Sequence, residues 1–358
     1  MRITNRLDLP SAIVAAVSND EYSRGQSDIS VTQLISPPRQ VTLIEAYKDT
    51  LEEDASDRIF SLFGQAIHKI LERAETTAVA EQRLYMNVPG PYGPWVVSGA
   101  MDRIEAMRQE DGTVVIQDYK TASVNEMIYG VKPERAQQLN IYKVLAELNG
   151  YKVSRLEAVF ILRDWSKVKA AEAARTPRFG DNAPTYPQTH VLKYDLPVWE
   201  PEEAFRFIAE RVAVHQRARF QYAEAASVGG LDSAQQALPE CDEEERWARG
   251  GSFAAMRDGA SRASKVGYSV EEVEAWVAET VAAAPTYTVE ERKGRYAVLK
   301  DGGTRASKTF DAAETAQQWI DEQAENYTVV ERPGEPVRCL YYCSAAAVCD
   351  QFKALSAE

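Results

Sequence analysis

Residues 95–120, WVVSGAMDRIEAMRQEDGTVVIQDYK, decide how the chain folds. Two strand-like runs, Trp95–Ala106 and Thr113–Lys120, flank the polar turn Gln109-Glu110-Asp111-Gly112. Each run carries charge that a buried strand would not choose: Asp102 between Met101 and Ile104, and Asp118-Tyr119-Lys120 at the end of the second run. Side chains alternate along a strand, so Asp118 and Lys120 share a face. If the two runs pair as a hairpin, Asp102 can join them there. Two carboxylates and an ammonium converging on one point suit a divalent cation and an activated water. A plain hairpin carrying a surface salt bridge is the competing reading.

Upstream, from Asp54 to Thr77, Ile59, Leu62, Phe63, Ile67, Ile70 and Leu71 recur at helical spacing. Gly64 inside this helix costs about 1 kcal/mol against alanine, which suggests a close approach there. His68 and Glu72 follow Gly64 at four-residue steps and share its face. Downstream, Pro133 to Leu148 predicts a second helix, with Gln138 and Tyr142 one turn apart, ended by Asn149-Gly150. Val153–Leu162 reads as another strand, and Arg83–Val88 as one preceding the hairpin. The order helix, three strands, helix, strand predicts a mixed α/β core, a sheet flanked by helices.

Gly64-x-x-x-His68-x-x-x-Glu72, Gly99-x-x-Asp102, Asp118-x-Lys120-Thr121 and Gln138-x-x-x-Tyr142 stand in this order on matching elements. Together they resemble the PD-(D/E)XK nuclease superfamily, in its RecB-like and CRISPR-associated-exonuclease-like branch. The resemblance implies a restriction-endonuclease-like core. It implies that His68, Asp102, Asp118 and the Tyr119 carbonyl hold Mg²⁺ or Mn²⁺, the imidazole tilting the choice toward manganese. Lys120 would orient the attacking water and stabilise charge on phosphorus, and Gln138 and Tyr142 would hold the strand or the lysine in place. The acid before Lys120 is Asp118 where many relatives carry glutamate, and the superfamily name allows either.

Four cysteines form a second pattern. Cys339, Cys343 and Cys349 fall within eleven residues, and Cys241 stands alone about a hundred residues earlier. Four thiolates suit structural zinc or an iron–sulfur cluster. Zinc more often uses two paired knuckles. A distant cysteine plus a C-terminal trio resembles the [4Fe–4S] staple of iron–sulfur nucleases in the same branch, with Zn²⁺ as the alternative. In those relatives the lone cysteine often precedes the histidine helix. Here Ser36-Pro-Pro-Arg39 has none, and Cys241 takes the role.

Composition sets the frame. At 358 residues the chain exceeds a typical single domain, and its 45% apolar and 27% charged content is that of an ordinary soluble protein. No stretch reaches the length of a membrane span. Arg2 and Arg6 precede a short apolar run that Asp8 and Pro10 interrupt, which reads as the first helix of a cytoplasmic protein. A net charge of −13 argues against a general nucleic-acid coat. Lys152, Arg155, Arg163, Lys167, Lys169, Arg175 and Arg178 supply one basic stretch, for DNA or simply for solvent.

Residues 195–283 read as largely helical: Glu202–Ala225 as one long helix, and Leu238-Pro-Glu-Cys241 opening another through Trp247. Pro-x-Cys and Arg246-Trp247 resemble the C-terminal half of phage-type relatives. Tyr287–Arg292 and Arg295–Lys300 predict a hairpin around Lys293-Gly294, followed by a short strand and the helix Ala312–Gln323. Near-duplicate segments, Tyr287-Thr-Val-Glu-Glu-Arg292 and Tyr327-Thr-Val-Val-Glu-Arg332, bound this module. The expected organisation is 1–285 as nuclease core plus helical region, 286–326 as an inserted α+β module, and 327–358 as a cysteine segment closing the cluster. The function so implied is a metal-dependent, DNA-degrading phosphodiester hydrolase, an exonuclease on single-stranded or end-bearing DNA in phage-type recombination or processing. A recombination or replication protein would be its partner, in a bacterial host's cytoplasm. A catalytically silent DNA-binding or assembly protein of the same fold is the alternative.

Overall fold

The computed structural model describes residues 1–19, 25–74, 79–105, 112–128, 130–175, 186–292, 294–322 and 326–356. Residues 109–111 of the expected turn and residue Arg178 therefore lie outside the described residues. Two compact units emerge: Met1–Glu245 with Cys343–Glu358, and Arg246–Tyr342.

The first unit runs β1 (Ile29–Ser30), α1 (Pro38–Ala46), α2 (Ile59–Ala74), β2 (Val79–Val88), β3 (Trp95–Glu105), β4 (Val114–Ala122), α3 (Pro133–Leu148), β5 (Val153–Leu162), β6 (Val191–Leu196) and α4 (Pro201–Ser233). Its sheet is six-stranded, ordered β1-β3-β4-β5-β6, with β2 also paired on β3. β3 and β4 are antiparallel, from Glu105↔Val115 to Arg103↔Gln117. β4 and β5 are parallel over Val114–Ala122, so the chain must cross over between them, and α3 makes that crossover. Pro133 opens α3, where a missing N–H costs nothing, and Gly150 at φ +90° follows its end. The helix buries Leu139, Ile141 and Leu145 against Met101, Ile116 and Leu156 of the sheet. This is the mixed α/β core that the sequence predicts.

Two long-range ties set the helices around this core. On α4, Arg211 donates from Nε to the Leu34 carbonyl at 2.9 Å and from Nη2 to the Ser36 carbonyl at 2.6 Å. His215, one turn on, is buried with Nε2 3.0 Å from the same Leu34 oxygen. Desolvation, then the neighbouring Arg211, pushes its pKa down to about 3. The neutral imidazole therefore donates to the carbonyl, which has no proton to give. A second apolar cluster gathers Leu43, Tyr47, Leu238, Ala345 and Cys349, with Cys343 and Phe352 packed against it.

The long helix after residue 195 exceeds its expected bounds, ending at Ser233 beyond a kink at Gly230. The helix expected from Leu238 through Trp247 does not form. Asp242 accepts from the Glu245 N–H at 2.7 Å, but this single turn stops at Trp247, whose φ is +51°.

In the second unit, too, strands replace expected helix. β7 (Ser252–Arg257), β8 (Lys265–Gly267) and α5 (Val270–Ala282) precede β9 (Tyr287–Arg292), β10 (Arg295–Lys300), β11 (Ala306–Phe310), α6 (Ala313–Glu322) and β12 (Tyr327–Arg332). Residues 252–279 align with 295–322 without a gap: SFAAMRDGASRASK against RYAVLKDGGTRASK, then Trp276 against Trp319. The unit is a tandem repeat.

β9 pairs with β10 from Tyr287↔Lys300 to Arg292↔Arg295, and β12 pairs with β7 from Tyr327↔Arg257 to Arg332↔Ser252, the same register. Trp319 packs edge-on to Tyr287 at 5.5 Å, and Trp276 packs edge-on to Tyr327 at 5.6 Å. The near-duplicate segments are thus one strand used twice. The first copy takes that strand from beyond the second copy, so the unit's two ends meet. Ala248–Arg249 and Glu335–Pro336 form a short antiparallel ladder, and the Arg338 N–H reaches the Arg246 carbonyl at 2.9 Å. Segment 286–326 corresponds to the second copy alone.

Candidate active site

β4 carries the polar centre. Alternation places Ile116, Asp118, Lys120 and Ala122 on one face, with apolar Ile116 and Ala122 on either side of the charged pair. Asp118 is 2% exposed, and Lys120 Nζ lies 2.8 Å from its Oδ1, with the lysine side chain 20% exposed. A buried carboxylate needs compensating charge, and the ammonium supplies it while reaching partly to solvent. This is not a surface salt bridge.

Asp102 and Asp118 are the residues next to the last pair of the β3–β4 ladder, Arg103↔Gln117, so the two acidic positions stand at the same end of it. The Asp102 side chain lies outside the described residues. On the opposite face of β4, Gln117 donates from Nε2 to Glu157 Oε2 at 2.6 Å, and Arg155 closes on Glu157 at 2.6 Å. Arg155 of the basic stretch is therefore engaged internally.

α3 packs against β3 at Gly99. Gln138 Nε2 donates to Tyr142 Oη at 2.9 Å, with both residues buried. A Cβ at Gly99 would fall 2.6 Å from Tyr142 Cε1 and 2.9 Å from Leu145 Cδ1. The glycine three residues before Asp102 is thus a packing requirement: only there can the tyrosine ring lie against the strand. The sequence motifs Gly99-x-x-Asp102 and Gln138-x-x-x-Tyr142 are one contact.

α2 approaches β4 at Gly64, where a Cβ would lie 3.6 Å from Thr121 Oγ1, so the close approach is mild. His68 is half-buried one turn further, and the Glu72 side chain is outside the described residues. Phe60 and Phe63 remain 58% and 50% exposed on this helix, with the Arg163 guanidinium 4.4 Å above the Phe60 ring. Among the described residues, no group of three or more His, Cys, Asp or Glu gathers as a metal cage.

The cysteines are all thiols in the structure. Cys343 and Cys349 belong to the second apolar cluster. Cys241 is tied to the same end of the chain: its N–H donates to Gln351 Oε1 at 2.9 Å and its carbonyl accepts from Gln351 Nε2 at 2.9 Å. Cys339 falls in the other unit, four residues before Cys343 in sequence. Arg39, which no sequence pattern marked, is 4% exposed. It donates to the Leu238 and Pro239 carbonyls at 3.2 and 3.3 Å, pairs with Asp350, and hydrogen-bonds Cys349. Burial works against its charge, and Cys349 with Asp350 outweighs that, holding the guanidinium above its usual range. It stands in Ser36-Pro-Pro-Arg39, the stretch in which the resemblance led one to look for a cysteine.

Fold and site define a mixed α/β protein whose central sheet presents an Asp-x-Lys pair from one strand. The sequence matches the model of the PD-(D/E)XK nuclease superfamily over residues 40–350, and the chain belongs to that superfamily. No curated protein sequence matches it. A solved structure titled "Crystal structure of SSO0001" is similar at 16% identity and TM-score 0.36, covering 56% of this chain and 81% of that one, and carries no argument here. Among the described residues no helix is long and apolar enough to cross a membrane.

Proposed function

We propose that this chain is a metal-dependent deoxyribonuclease of the RecB-like, iron–sulfur branch, acting as an exonuclease on single-stranded or end-bearing DNA in phage-type recombination or processing. Its membership of a nuclease superfamily supports the reaction class. The observation that carries the site assignment is the buried Asp118 with Lys120 at 2.8 Å on β4. A binding module has no need of a carboxylate taken out of water at such cost.

Oxygen donors with one imidazole suit Mg²⁺ or Mn²⁺, so Asp118, Asp102, His68 and the Tyr119 carbonyl are the proposed ligands. A bound divalent ion supplies charge to the scissile phosphate and acidity to a water. Lys120, fixed by Asp118, would present its ammonium to the charge developing on phosphorus. Tyr142, held by Gln138 and seated on Gly99, keeps β3 and α3 in register, so that Asp102 and Asp118 stay at one level. These roles require positioning within about 0.5 Å, which a packed ring provides better than a loop.

Cys241, Cys339, Cys343 and Cys349 are the proposed [4Fe–4S] ligands, with structural Zn²⁺ as the alternative for the same thiolates. The Gln351 clamp on Cys241 and the shared apolar cluster of Cys343 and Cys349 support this reading. Arg39 beside Cys349 places a buried cation at this end of the chain. The test is anaerobic purification, then incubation with end-labelled single- and double-stranded DNA under Mn²⁺, Mg²⁺ or EDTA. Metal-dependent loss of label from one end supports the exonuclease, and the end released gives polarity. Internal cuts on circular DNA would replace exonuclease with endonuclease.

A further inference from the structure

The tandem repeat of residues 252–322 keeps its sequence where a fold has least need of it. Across the 28 aligned positions, ten are identical, and six of those ten fall between Asp258 and Lys265, matched to Asp301–Lys308, which span each hairpin's turn and the start of its returning strand. Exposed loops ordinarily diverge faster than the strands that they join. Some of the kept residues are structural. Gly259 and Gly302 take φ of +76° and +69°, and the Asp258 and Asp301 N–H groups bond the Asn326 and Thr286 carbonyls at 3.0 and 2.8 Å.

The side chains of Arg262 and Ser264, and of Arg305 and Ser307, have no such role. All four are exposed, and among the described residues neither arginine makes a hydrogen bond or ion pair. In both copies the hairpin is basic and the helix acidic. The first hairpin carries Arg257, Arg262 and Lys265 against Asp258, with Lys265 paired to Glu272 at 2.8 Å, and the second carries Arg295, Lys300, Arg305 and Lys308 against Asp301, with Arg295 paired to Asp311 at 2.8 Å. Helices α5 and α6 carry charges of the opposite sign only: Glu271, Glu272, Glu274 and Glu279, and Glu314, Asp321 and Glu322. In a chain of net charge −13, two matched basic loops are where a polyanion can approach.

We propose that the 246–342 unit is a two-site phosphate grip, in which Arg262 with Ser264 and Arg305 with Ser307 each hold the DNA backbone. Guanidinium forks and serine hydroxyls both donate to phosphate oxygens and read no base, so the grip is sequence-independent. The choice of DNA over another polyanion rests on the nuclease reading.

The test uses the full chain in EDTA, with fluorescence anisotropy of a labelled 30-nucleotide strand and its duplex across a KCl series. Arg262→Ala/Arg305→Ala removes two phosphate contacts, so the slope of log K against log[salt] should fall by roughly 1.4 on single strands and about 1.8 on duplex. Affinity at fixed salt should fall at least tenfold, with turnover of a saturating short oligonucleotide unchanged. Arg262→Lys/Arg305→Lys should restore the slope. The same charge removed at exposed Arg2 and Arg6 should leave it unaltered. An unchanged affinity and slope in the alanine pair, with wild-type cleavage intact, overturns the grip and assigns the loops to a protein partner. Loop-dependent binding without cleavage under any metal keeps the grip and removes the nuclease reading. A wild-type chain that neither binds nor cleaves removes both.

Discussion

Gly99→Ala tests whether the strand glycine exists for the tyrosine behind it. The added Cβ meets Tyr142 Cε1 at 2.6 Å and Leu145 Cδ1 at 2.9 Å, distances that real side chains do not tolerate. Neither ring nor leucine can retreat freely, because Tyr142 is held by Gln138 and Leu145 is fully buried. Overpacking of this kind typically costs about 1–3 kcal/mol. Replacing glycine also restrains the unfolded chain, which returns about 0.4–1 kcal/mol. The net expectation is a loss of about 1–2 kcal/mol, read as a lower urea midpoint with an unchanged m-value. In a Tyr142→Ala background the same substitution should cost measurably less, giving a coupling of about 1 kcal/mol between the two positions. If Gly99→Ala leaves the midpoint unchanged or raises it, Gly99 is not holding room for Tyr142.

Three further outcomes are expected. His215 binds its proton at about pH 3 in the folded chain but near 6.5 when unfolded, so the unfolded state takes up protons first as pH falls through that window. Stability should drop by about 2 kcal/mol between pH 7.5 and pH 5, and His215→Gln should flatten that part of the melting-temperature profile. Excising residues 250–334 and joining Arg249 to Glu335 by a two-residue turn should leave a folded, active nuclease, because those residues already pair; complete unfolding on circular dichroism would show the unit to be part of the core. Cys343→Ser should lose iron and the brown absorbance of an anaerobic preparation, whereas a colourless wild type containing zinc would replace the cluster with the zinc alternative.

The legibility of the sequence followed the range of the interactions. α3 and β5 have the bounds that periodicity predicts, because caps and apolar runs are local signals: Pro133 at the start of α3, Gly150 past its end, and a β5 buried at seven of its ten positions. Asp118 and Lys120 were legible as a pair, since two residues on one strand must share a face. That Gly99 and Tyr142 are one contact was not legible, because the strand and the helix meet only in the folded sheet. The stretch 248–267 failed for the same reason. Its strands are short, and besides β8 the partner of β7 is β12, which pairs Ser252 with Arg332, 80 residues downstream. A gapless self-alignment would have found the repeat, because RASK recurs whole in both copies. Arg39 gave no signal at all; its partners Leu238, Pro239 and Asp350 come from the far end of the chain.

The central claim is that β4 carries the chemistry. The most direct measurement compares wild type with Asp118→Ala on end-labelled DNA in saturating Mn²⁺, alongside melting curves of both. Both proteins should melt cooperatively and bind DNA, with cleavage lost in the variant by at least a thousandfold. Cleavage by a folded Asp118→Ala at the wild-type rate would place the active site elsewhere in the molecule.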